Sequence, residues 1–161
     1  VVPEVGLLLH VAITHENYAR AIVDRTKSIE ARFSRTRSGP FMRVSPGDRI
    51  FFKARGGPFV ATALVERVWF LSDLTTVKVA ELRERYNTRI LGDAAFWRTS
   101  KSARYASFIG LSAAERIYSG PDYTSPSGPR PRCAWYTLPD QADVYPLCLL
   151  PPEELTLRPT G

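Results

Sequence analysis

Apolar positions fall into runs of two different periods along this chain. Residues 7–13, LLLHVAI, are apolar throughout except for His10 and read as a buried first strand. Between Thr14 and Thr26, Tyr18, Ala21 and Ile22 recur at i, i+3 and i+4. That spacing predicts a short amphipathic helix with Thr14 as its N-cap, although Asn17 stands where a full capping box has Glu. The period then changes to two. Ile29, Ala31 and Phe33 alternate with Ser28, Glu30 and Arg32, so a half-buried strand is expected with Glu30 and Arg32 on one face. Lys27 precedes it at the helix-to-strand junction.

A basic loop follows, carrying Arg35, Arg37 and Arg43 around the Gly39-Pro40 breaker. The Pro46-Gly47 turn introduces a strand from Arg49 to Lys53, and Gly56-Gly57-Pro58 turns the chain into a long strand over 59–71. Helical spacing returns from Leu74 to Tyr86. Strands are expected from Tyr105 to Leu111 and over 132–138. Residues 119–131 are rich in Pro, Ser and Gly and read as a long loop. The prolines at 146, 151, 152 and 159 predict an extended tail. About six strands without regular helical crossovers disfavour a doubly wound sheet. The expected fold class is α+β, a small, partly closed mixed β-barrel with flanking helices. Its domain runs over 7–139, and a Pro-rich tail, 140–161, packs on it or extends from it.

Composition narrows the chemistry. At 161 residues the chain suits one domain, and no apolar run reaches the length of a membrane span. The run at 7–13 lacks the basic flank and cleavage site of a signal peptide, which makes the cytoplasm the expected location. Two cysteines, Cys133 and Cys148, and two histidines, His10 and His15, do not make a zinc ligand set, so neither metal nor cofactor is expected. A net charge of +6, dominated by arginine, favours phosphate-bearing partners.

Three segments together, "KSIEARF", "VSPGDRIFF" and "ATALVERVWFLSDL", are similar to the ASCH domain of the PUA-like superfamily, which carries Lys-Thr-Ile-Glu-x-Arg after its first helix. The resemblance covers about residues 7–117, with 132–138 as a closing strand. It implies a mixed barrel with a cleft between the first helix, the KSIEAR segment and the basic loop, where members bind RNA or modified bases. One branch resembles an acetylcytidine amidohydrolase that uses the motif lysine and a threonine three residues on. Lys27 matches, but Glu30 occupies the threonine position, so that hydroxyl is missing. A second branch is a ribonuclease.

The resulting expectation is an RNA-binding or nucleotide-recognising module for single-stranded RNA or a modified nucleotide. Lys27, Glu30 and Arg32 would line its cleft, with Arg35, Arg37, Lys53 and Arg55 along the backbone track. In "FWRTSKSARYA", Trp97 is a candidate base platform and Lys101 and Arg104 are candidate phosphate contacts. The alternatives are a hydrolase working through Lys27 and Glu30, and a protein-interaction domain. Ser28 lacks a visible base, His15 suits a surface or capping position, and Asp48 suits the Pro-Gly-Asp turn.

Overall fold

The computed structural model describes residues 7–123, 133–139 and 144–155. Strands β1 (Leu8–Thr14), β2 (Ile29–Ser34), β3 (Arg49–Ala54), β4 (Phe59–Leu71), β5 (Tyr105–Arg116) and β6 (Trp135–Pro139) form one sheet in the order β2-β5-β4-β3-β1-β6. β1 and β3 run parallel, and every other pair is antiparallel. Register shifts at Phe52/Lys53, Thr62/Leu64 and Val65/Arg67 mark bulges, and Ala113 takes a positive φ of 50° in the long β5. Bulges bend strands and increase their twist. The sheet accordingly curls into a half-barrel whose edges are β2 and β6. This is the expected mixed α+β small barrel.

Helix α1 (Glu16–Val23) packs Ala19 and Ile22 against Ala12, Ile50, Phe52, Ala61 and Ala63. Its N-cap is His15, with no side-chain capping bond, because Thr14 completes β1. The Thr14 cap predicted from the sequence is thus replaced. On the other side of β2 and β5, α2 (Thr76–Ile90) and α3 (Ala94–Ser100) cover a second cluster containing Ile29, Ala31, Leu82, Trp97 and Phe108. Thr75 caps α2 by accepting from the Lys78 amide at 3.2 Å, and Asp93 caps α3 by accepting from the Phe96 amide at 2.8 Å.

After Pro139 the described residues form two short helices, α4 (Val144–Cys148) and α5 (Pro152–Leu155), in place of a continuous extended tail. Cys148 is buried with Leu9, Val11 and Phe51, and Arg49 stacks 3.6 Å from the Tyr145 ring centroid. Most of the predicted 119–131 loop lies outside the described residues. Among the described residues no helix is long and apolar enough to cross a membrane.

Candidate functional site

Both faces of β2 are covered at its start, because α2 and α3 pack on one and the curled sheet closes over the other. That burial changes the reading of its charges. Lys27 and Glu30 are each only 4% exposed, instead of lying on a solvated face. The Lys27 ammonium donates to the Ile90 carbonyl at the end of α2 and sits 5.1 Å from the Tyr18 ring centroid. Burial pulls its pKa below the ordinary lysine value, the Glu30 charge opposes that shift, and Arg32 adds to it.

Arg32 ties the edge of β2 to the other side of the half-barrel. Its Nε donates to Glu30 Oε1 at 2.8 Å, and its terminal nitrogens donate to the carbonyls of Ile13 at 3.1 Å and Ala134 at 3.4 Å. The guanidinium also lies 5.4 Å from the Trp135 ring centroid. Glu30 Oε2 is buried without a hydrogen-bond partner. Behind Trp135 stands a network that sequence reasoning missed. Trp135 Nε1 donates to His10 Nδ1 at 3.1 Å, which leaves His10 Nε2 to carry the proton and donate to Asp48 Oδ2 at 2.8 Å. Asp48 also accepts from the amides of Leu8 and Ser45, so it does brace the Pro-Gly-Asp turn. Burial lowers the His10 pKa more than its Asp48 partner raises it.

Arg32 faces two concavities. The first, about 450 Å³, opens between the start of α1, β2 and α3, and its walls include Tyr18, Arg32, Phe33, Arg55 and Phe96. Lys27 and Glu30 do not line it; they support Tyr18 and Arg32 from within. The Tyr18 hydroxyl accepts from the Asp93 amide at 3.1 Å, which fixes α1 to α3, and burial raises its pKa. The second concavity, also about 450 Å³, is the seam between the β2 edge, the basic loop and the start of β6, and contains Arg37, Arg43, Tyr105 and Trp135.

The other predicted residues divide. Arg35 donates to Ser102 Oγ at 2.9 Å, and the Arg104 amide donates to the Ser34 carbonyl at 3.0 Å. These contacts put Arg35, Lys101 and Arg104 on adjoining exposed turns beside the first concavity. Lys53 lines neither concavity and reaches back toward the Ala54 carbonyl. Trp97 is a correction: it is 2% exposed, and its indole donates to Asn87 Oδ1 at 2.9 Å, so it offers no free face to a base. Its neighbour Phe96 reaches the concavity instead. The Gly92-Asp93 pair, a helix stop followed by an N-cap, was the signal for α3.

The chain matches no family profile, and no curated protein matches it. Solved structures do. The ASCH protein of Zymomonas mobilis superposes with a TM-score of 0.54 at 20% identity, covering 68% of this chain and 70% of that one. A point variant of the same protein gives a TM-score of 0.54 over 72% of its length, and another gives 0.52 at 19% identity. At these identities the likeness speaks to the fold alone, and the chain shares the curled small-barrel fold of that ASCH protein.

Proposed function

We propose that this protein is a nucleotide-recognising module for single-stranded RNA, with one base held in the concavity between α1, β2 and α3. The observation that carries this reading is the lining of that concavity. The Tyr18, Phe33 and Phe96 rings stand beside the Arg32 and Arg55 cations in a space of about 450 Å³. Rings accept a base by stacking, and arginine holds a phosphate through paired donors. Arg35, Lys101 and Arg104 extend the cationic track over the adjoining turns. The fold shared with ASCH proteins supports the same reading. Buried Glu30 and Lys27 position the walls and take no direct part in contact.

A hydrolase acting on RNA or a modified nucleoside is the second reading; burial lowers the Lys27 pKa, the direction a general base needs, but the amine stands behind the wall of the concavity and not in it. Anisotropy titrations of labelled single-stranded RNA and its duplex, with recovered RNA run on a gel, separate the two. Tighter single-strand binding with intact RNA supports the module. Cleaved or chemically altered RNA moves the assignment to the hydrolase. No binding at low salt overturns both RNA readings.

A further inference from the structure

We propose that the open seam of the half-barrel is a second binding site, selective for a phosphomonoester, as found at the end of an RNA or on a free mononucleotide. It shares only Arg32 and Phe33 with the first concavity. Its RNA form rests on the function proposed above; its free-nucleotide form does not.

Three arginines, Arg32, Arg37 and Arg43, line the seam, and no aspartate or glutamate does. Glu30 already offsets the Arg32 charge through their 2.8 Å ion pair. Among the described residues no carboxylate pairs with Arg37 or Arg43, which leaves an excess of two positive charges. A phosphodiester carries one negative charge, whereas a phosphomonoester carries about −1.5 to −2 at neutral pH. The seam therefore matches the terminal group better than a bridging one.

The donors are also placed before a ligand arrives. The Arg37 guanidinium lies 5.6 Å from the Tyr105 ring centroid and 5.9 Å from that of Phe41, held over aromatic faces on the seam wall. Gly39, at φ +70°, turns the basic loop back until a Cβ there would lie 3.9 Å from the Trp135 Cβ. Ser34 and Ser38, joined by a 3.1 Å hydroxyl contact, add neutral donors along the same wall. Arginine forks with hydroxyls suit three phosphate oxygens.

The test uses one single-stranded RNA sequence with a 5′-phosphate, with a 3′-phosphate, or with hydroxyls at both ends. Adenosine monophosphate and adenosine serve as competitors. One phosphorylated end is expected to bind about tenfold more tightly than the hydroxyl form. Arg37→Gln and Arg43→Gln, both in an exposed loop, should each collapse that ratio toward one. Displacement by the monophosphate but not by adenosine, with no effect of RNA ends, assigns the seam to free nucleotides. Nucleotide binding that needs Arg43 in a protein that binds no RNA sinks the RNA function and keeps the seam. Equal affinity for all three RNAs, with the monophosphate no better than adenosine, overturns the proposal.

Discussion

Arg32 and Glu30 stand two residues apart on one face of β2 and are joined by a 2.8 Å bond from Nε to Oε1. The bond turns a strand edge into a cross-brace, because the remaining guanidinium nitrogens grip the carbonyls of Ile13 and Ala134 on the far side of the half-barrel. Arg32→Gln takes the cation from Glu30 Oε1 in a buried place where Oε2 already has no partner. A loss of about 3 kcal/mol in urea unfolding is expected. Pairing Arg32→Met with Glu30→Leu should recover most of it. A double variant as unstable as Arg32→Gln would show that the ion pair is not the source of the loss.

Lys27 predicts a pH dependence with a definite sign. Burial lowers its folded-state pKa below the ordinary 10.5, so the unfolded chain binds more protons between those two values. Stability conferred at this position must therefore rise with pH through that window and level off above 10.5. Lys27→Met lacks the rise. The difference between the two unfolding free energies, followed from neutral to alkaline pH, reads it directly. A flat difference would contradict a depressed pKa.

His10 behaves alike at lower pH. Its folded pKa lies below 6.5, so stability falls as pH drops below 6.5 and stops falling beneath the folded value. Nitrogen-detected NMR should find the Nε2–H tautomer, with the imidazole still neutral where a free histidine is half charged. Titration at the ordinary value would refute the buried His10–Asp48 arrangement.

Gly92 separates α2 from α3 where no side chain fits. A Cβ there would lie 2.4 Å from the Phe96 ring and 2.8 Å from Trp97 Nε1. Gly92→Ala should cost about 1–3 kcal/mol and displace the Phe96 wall, lowering both melting temperature and RNA affinity. An unchanged affinity would separate α3 from the site.

Phe96 and Trp97 give opposite expectations despite being adjacent. Trp97→Phe loses the 2.9 Å bond to Asn87, costing about 1 kcal/mol of stability while RNA affinity holds. Phe96→Ala removes a stacking wall and should weaken RNA binding by about 1–3 kcal/mol. Anisotropy and thermal unfolding of both variants check the contrast.

Strand period two made β2 legible, together with the shared face of Glu30 and Arg32, and the turn residues marked β3 and β4. Depth was not legible. A local pattern cannot reveal that the sheet curls, and the curl is what buries Lys27 and Glu30. Nor does charge spacing show that Lys53 turns toward its own strand while Arg55 reaches the concavity. The His10–Trp135 bond joins residues 125 apart in sequence, which no window along the chain brings together. Trp97 looked available because aromatic and basic residues alternate around it, yet in a seven-residue helix adjacent side chains point to different faces.

Backbone amide shifts on titration with single-stranded RNA report where on the protein the RNA sits. Perturbations are expected to cluster at Tyr18, residues 31–33 of β2, Arg55 and Phe96, around the α1–β2–α3 concavity. Shifts confined to the other groove along α1, lined by Arg20, Phe59 and Arg116, would contradict that location.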